Sequence, residues 1–261
     1  MHPLTLARAL TDWTFHPAAL AVGVAFLVVA RRRAAVAGAA AWLVATCSFL
    51  GTYDHALFWV LAVQDVVLLA LVPVPIVLGV RLRWRVPAVL GAVLGVATVI
   101  AIYTTGWDQA RLEHRALFVA TQVLLVGVGT LFLGPLLDPH DGRFAGRALV
   151  AFVEGLLDAV PGLVVLATHG LIARHWYAGH PRSWGPSPSS DQQIGGTAMI
   201  ALSELVGLPA LVLLVVRWIR SDAVEAQRVD RALDAGAGDS DRPWWETDAG
   251  PLGERARREG W

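Results

Sequence analysis

The sequence predicts an all-α integral membrane protein: a bundle of about seven transmembrane helices with its N-terminus outside and its C-terminus in the cytoplasm. Three observations lead there. Hydrophobic residues make up 56% of the 261 residues and charged residues only 16%, with a mean hydropathy of +0.56. A soluble domain carries about 25% charged residues, whereas lipid-facing positions need none. Apolar runs of the length that crosses a bilayer, about 20 residues, recur along the chain without the strict alternation of a membrane barrel. Arginines gather between alternate runs, and the chain has no lysine.

The first run, 13–30, ends at Arg31, Arg32 and Arg33. A cleaved signal carries its positive charge ahead of the apolar stretch, so this run reads as an uncleaved helix entering from outside. The second run, 35–53, is joined to the third, 56–80, by a very short turn, which makes the two antiparallel neighbours. Pro73 and Pro75 lie inside the third run, where each removes a backbone donor and bends the helix. The fourth and fifth runs are 86–103 and 116–137. The sixth, 148–172, contains Pro161-Gly162, a second kink. The seventh, 195–219, leads into the tail. Residues 1–220 therefore form the transmembrane domain and 221–261 a cytoplasmic tail. The tail begins as a helix from Asp222 to Asp234; beyond about residue 235, Gly236, Gly238 and several aspartates point to disorder.

Orientation follows from arginine placement. Arg31–Arg33, then Arg81, Arg83 and Arg85, then Arg143 and Arg147, and finally Arg217 and Arg220 all fall on one side of a seven-span bundle. That side is cytoplasmic by the positive-inside rule. Trp13, Trp59, Trp107, Trp176 and Trp184 then lie near the outer interface, as an aromatic belt requires. Arg111 and Arg115 fall in an outer loop. The net charge of zero gives no electrostatic case for nucleic acid.

Polar residues inside spans are costly and mark functional candidates. The third span holds Gln64 and Asp65, the fifth Gln122, the sixth Glu154, Asp158 and His169, and the seventh Ser203 and Glu204. At 1.5 Å per residue, Asp65 is roughly 14 Å below the outer end of its span, and Gln122 and Glu204 on the order of 10 Å. Asp65, Gln122, His169 and Glu204 are thus expected to line an outward-facing polar cavity. The alternative is hydrogen bonding between helices that holds the bundle together. The sequence contains no nucleophile–base pair, phosphate loop or dinucleotide fingerprint, so no enzymatic activity is expected.

Seven of the eight histidines fall on or near the outer face: His2, His16, His55, His114, His169, His175 and His180. Imidazole suits copper, zinc and iron, so a rim of this kind is compatible with handling a metal outside the membrane. His16, His55 and His169 are the candidate ligands. Histidine is also simply well tolerated in loops and interfaces. Softer ligands are scarce, with Met1, Met199 and Cys47 the only sulfur-bearing residues.

Asp191-Gln-Gln-Ile-Gly195-Gly196 with Glu204 downstream, followed by Trp218, Asp222, Asp230 and Arg231 in Val216–Arg231, forms a distinctive C-terminal pattern. It resembles the CtaG-type cytochrome c oxidase assembly family associated with caa-type oxidases. Residues Ala56–Gly79 resemble the family's third span, and Gly134-Pro135-Leu-Leu-Asp138-Pro139 its fifth-span exit. The resemblance implies a multi-pass protein of a bacterial plasma membrane, with oxidase subunits or another assembly factor as partners and copper as the metal delivered or placed at the outer face. The chain departs from the pattern where the family carries two histidines four residues apart. Leu61 and Asp65 stand there; Gln122 replaces a fifth-span histidine and Ile200 a tryptophan. The loss keeps a second reading open, a metal-free scaffold or accessory subunit of a respiratory complex. A third is a transporter or proton pathway through Asp65, Glu154, Asp158 and Glu204, although no internal repeat supports it.

Overall fold

A computed structural model describes residues 2–29, 33–79, 86–137, 150, 153, 159–240 and 248–260. Among these residues every regular element is helical: α1 (Leu6–Thr11), α2 (Pro17–Val29), α3 (Arg33–Cys47), α4 (Phe49–Tyr53), α5 (Phe58–Val66), a π-helical turn (Val67–Leu71), α6 (Pro73–Gly79), α7 (Ala88–Thr104), α8 (Trp107–Glu113), α9 (Arg115–Leu137), α10 (159–167), α11 (Arg174–Gly179), α12 (Pro188–Ser240) and α13 (Pro251–Glu259).

Three described helices are long and apolar enough to cross a membrane: Val36–Tyr53, Phe58–Gly79 and Arg115–Leu137. A fourth results if α7 and α8, bent by 74°, count as one broken span. The described helices thus supply three or four of the seven expected spans. The first run is a 13-residue helix, about 20 Å at 1.5 Å per residue, short of a hydrocarbon core of about 30 Å. Of the sixth run, residues 150, 153 and 159–172 are described; Glu154, Asp158, His140 and most of the arginine clusters (Arg31, Arg32, Arg81, Arg83, Arg85, Arg143 and Arg147) lie outside the described residues. The seventh run lies within α12.

Local chemistry explains the breaks. Ser48 separates α3 from α4 and its Oγ accepts from the Leu50 amide at 3.3 Å. Gly51 closes that turn against the Thr46 carbonyl, where any Cβ would lie 1.8 Å from the oxygen. Pro73 cannot donate to the Leu69 carbonyl, and the helix widens into the π turn just before it, with the Val72 amide bonding Val67 O at 3.0 Å. Gly129 of α9 packs directly on the Leu69 carbonyl, since a Cβ there would sit 1.9 Å from it. Gly91 makes the same kind of close approach between α7 and the Phe132 backbone of α9. Small residues at such crossings let helix backbones meet.

The core comprises Trp42, Ala62, Leu68, Ile102, Leu125 and Val165, all fully buried. Trp42 ties α3 to α2 because its indole N–H donates to the Ala19 carbonyl at 2.8 Å.

The chain divides into two compact units at Leu214/Val215. In the second, α12 continues to Ser240 and α13 follows. Within the stretch from about residue 235, helix is described to Ser240 and over Pro251–Glu259. Ala232, Ala235 and Ala237 favour helix across the two glycines. In α13, Arg258–Glu254 at 3.2 Å and Arg255–Glu259 at 2.8 Å are i,i+4 pairs.

Candidate functional site

The most heavily buried polar cluster centres on Asp65 of α5. Gly106 adopts a left-handed conformation (φ 78°) at the elbow between α7 and α8. That turn folds α8 back and aims Arg111 into the bundle. The Arg111 guanidinium grips Asp65 in bidentate fashion, Nη1 to Oδ1 at 2.9 Å and Nη2 to Oδ2 at 2.7 Å. Its Nε donates to Asp108 Oδ1 at 2.8 Å. Tyr103 of α7 donates its hydroxyl to Asp65 Oδ2 at 2.7 Å. Both ion-pair partners are almost inaccessible, at 1% and 2% exposure. Both Asp65 oxygens are therefore engaged by protein donors, and among the described residues Asp108 Oδ2 is a buried oxygen without a hydrogen-bond partner.

The Asp-Gln-x-x-Gly-Gly segment forms a clamp. Asp191, in the first turn of α12, accepts from the Phe58 amide at 3.1 Å and the Trp59 amide at 3.0 Å. These are the bare donors at the start of α5, whose own N-cap residue, Leu57, supplies no side-chain bond. Arg182 also pairs with Asp191 at 2.6 Å. Gln192 ties down the chain after α10: its Oε1 accepts from the Ile172 amide at 2.8 Å and its Nε2 donates to Gly170 O at 3.1 Å. Gly195 leaves room for the Phe58 ring, and Gly196 meets Gly162 of α10. Each position of the motif thus has a packing or capping role.

Cavities flank these features, one of about 490 Å³ at the clamp itself, lined by Phe58, Arg182, Asp191 and Gln192 among others, and two more. An apolar one of about 80 Å³ is lined by Asp65, Gly91, Gly129, Phe132, Met199 and Ser203, among others. A larger one of about 490 Å³ is lined by His16, Asp54, His55, Glu113, Arg115 and Gln122, together with apolar and hydroxyl side chains. In the latter, His55 Nδ1 and Asp54 Oδ1 lie 2.6 Å apart.

The four residues expected to share one cavity are distributed differently. Asp65 lines the apolar cavity and Gln122 the larger polar one, while His169 and Glu204 are exposed. Of the candidate metal ligands, His16 and His55 share a cavity that His169 does not line. Among the described residues, no group of three or more His, Cys, Asp or Glu side chains is placed to hold a metal ion. Trp218, Asp222, Asp230 and Arg231 lie exposed on α12. The sequence reading missed Arg111, Asp108 and Tyr103. The available signal was Asp65 itself, since a carboxylate in an apolar span requires a cation.

The profile of the cytochrome c oxidase caa3 assembly factor family (Caa3_CtaG) matches residues 18–90 and 80–221. Relatives include uncharacterized proteins of Mycobacterium bovis and Mycobacterium tuberculosis, each 27% identical over 293 aligned positions that cover 92% of this chain and 44% of the relative. The chain thus spans less than half the length of these relatives. No solved structure matches it at a significant level. With the clamp motif and the Asp65 span both inside the matched region, the chain belongs to the cytochrome c oxidase caa3 assembly factor family.

Proposed function

We propose that this chain is a multi-pass assembly factor of a bacterial plasma membrane that places copper into a cytochrome c oxidase at the outer face, through contact with oxidase subunits and without catalysis of its own. The observation that carries this reading is the family match across most of the chain. The seven-span, N-out arrangement belongs to the same reading and is supported by the arginine asymmetry. The buried Asp65–Arg111–Asp108 cluster gives the bundle a rigid frame, and the exposed face of the cytoplasmic helix, with Trp218, Asp222, Asp230 and Arg231, offers polar contacts to a partner. The test is deletion in the host, followed by oxidase activity and copper content of isolated membranes. Loss of oxidase activity, restored by the intact chain, is the expected result; full activity without the chain refutes the reading.

A metal-free scaffold is the second reading, and one observation favours it. Where the family carries histidine, Asp65 spends both oxygens on Arg111 and Tyr103. A guanidinium already neutralises that position, which removes the charge that would attract a metal there. Normal copper content together with a misassembled oxidase in the deletion strain distinguishes this reading from the first.

A further inference from the structure

We propose that Leu6–Phe15 is an interfacial lipid anchor: α1 and the linker after it lie in the outer leaflet, with Leu6, Leu10, Trp13 and Phe15 against acyl chains. The anchor rests on the reading of the chain as a multi-pass membrane protein.

The linker has the reverse of the pattern that water imposes. From Asp12 to His16 exposure alternates residue by residue, with Trp13 and Phe15 exposed and Asp12, Thr14 and His16 half-buried. The half-buried set is polar and is tied to the bundle. Tyr53 donates its hydroxyl to Asp12 Oδ2 at 2.8 Å, the Thr14 amide donates to Cys47 O at 2.8 Å, and the Thr14 and Thr52 hydroxyls meet at 3.0 Å. The outward set is aromatic. Trp13 is 42% and Phe15 58% exposed, and their rings stack with centroids 6.0 Å apart. A two-faced segment in water turns its apolar face to the protein and its polar face outward. Here the polar face meets the protein, so the surroundings of the aromatic face are apolar.

Helix α1 extends that outward face. Leu6 and Leu10, one turn apart, are 84% and 74% exposed. They cannot fold under the segment, because it is pinned on both sides of α1. Leu4 packs on the cluster of Leu50, Tyr53, Leu57 and Val60 before it, and Asp12 and Thr14 are bonded after it. The polar side chains of this stretch are satisfied locally, as lipid requires. Arg8 donates to Pro3 O at 2.9 Å, Thr11 Oγ1 to Ala7 O at 3.1 Å and the Trp13 indole to Leu10 O at 3.2 Å.

The occupant of this face is lipid because the face continues along a span. On α2 the exposed side chains Leu20, Val24 and Leu27 follow at i, i+4 and i+7. The 13 residues of α2 rise about 20 Å against a hydrocarbon core of about 30 Å. With the N-terminus outside and the arginines at 31–33 holding the inner end, Pro17 stops about 10 Å short of the outer edge of the core. The linker and α1 therefore begin within the outer leaflet, at the depth that tryptophan favours.

The test uses the full chain with Cys47→Ala as background, carrying one nitroxide-labelled cysteine at a time, in nanodiscs of phosphatidylcholine and phosphatidylglycerol. Collisions with oxygen, which concentrates in lipid, are compared with collisions with a water-soluble nickel chelate. Labels on Leu6→Cys, Leu10→Cys and Phe15→Cys should favour oxygen and report a depth of about 5–10 Å into the headgroup and acyl boundary. Val123→Cys, on the exposed side of α9, is the lipid control, and Ser189→Cys, exposed at the start of α12, is the water control. A label on Thr14→Cys should meet neither reagent. Melting temperatures identify variants that fold; Trp13→Cys replaces Phe15→Cys if the latter does not. Labels at positions 6, 10 and 15 that favour the chelate as Ser189→Cys does overturn the anchor. So does spin–spin broadening at these positions that vanishes on dilution with unlabelled chain, the mark of a second copy on this face. A chelate-favouring label at Val123 overturns the multi-pass reading and the anchor with it; lipid at Val123 with water at positions 6, 10 and 15 overturns the anchor alone.

Discussion

Replacing Arg111 with methionine removes the one cation from a cluster that holds two carboxylates in the bundle interior. Arg111 is 1% exposed, as is Asp108, and Asp65 is 2% exposed, so solvent cannot take over the lost contacts. Five contacts at 2.6 to 2.9 Å hold this cluster together, and four of them involve Arg111. Breaking a buried pair by removing one partner costs about 3–5 kcal/mol, because the remaining charge is left uncompensated. A domain of about 200 residues shifts its melting temperature by about 2–4 °C per kcal/mol. Arg111→Met should therefore melt about 6–20 °C below the wild type in detergent, followed by intrinsic tryptophan fluorescence. The companion variant Asp65→Leu/Asp108→Leu/Arg111→Met removes every charge and should recover most of the loss, since a well-packed apolar replacement is close to neutral. A shift below about 2 °C for Arg111→Met would refute the argument that this ion pair frames the bundle.

Other expectations rest on single features. Asp191→Ala leaves the Phe58 and Trp59 amides uncapped, a loss of about 0.5–2 kcal/mol for the cap alone, and faster amide exchange at those two positions is the specific readout. Gly129→Ala drives a methyl into the Leu69 carbonyl and should cost at least about 1–3 kcal/mol, measurable as a lower midpoint in thermal denaturation, whereas Gly127→Ala, which meets nothing within 4 Å, should be neutral.

The long apolar helices were legible because lipid and core make the same demand on composition. Val36–Tyr53 and Phe58–Gly79 fall within the predicted runs, and Arg115–Leu137 extends its run by one residue. The prolines at 73 and 75 flagged the irregularity that became the π turn. Arg111 was not legible in the same way. Trp107–Glu113 is only two turns of mixed polarity, and it reads as loop until Gly106 turns it inward. Depth along an axis was computable from residue count, but rotation about the axis was not. Asp65 and Glu204 were both placed in outer halves of spans, yet one side chain is buried and the other exposed. The clamp motif stood out in the sequence, but its meaning lay 133 residues away at Phe58.

That separation has a consequence for biogenesis. The α5 helix emerges from the ribosome long before Asp191 does, and until then its first amides have no side-chain partner. The α5 helix must therefore form with an unfinished end, which Asp191 closes only after another 133 residues have followed Phe58. A nascent chain stopped short of α12 would hold its helices but not their register at this end, exposing an open rim to chaperones or to an early partner. The end of α5 is thereby coupled to the synthesis of α12 through a single carboxylate.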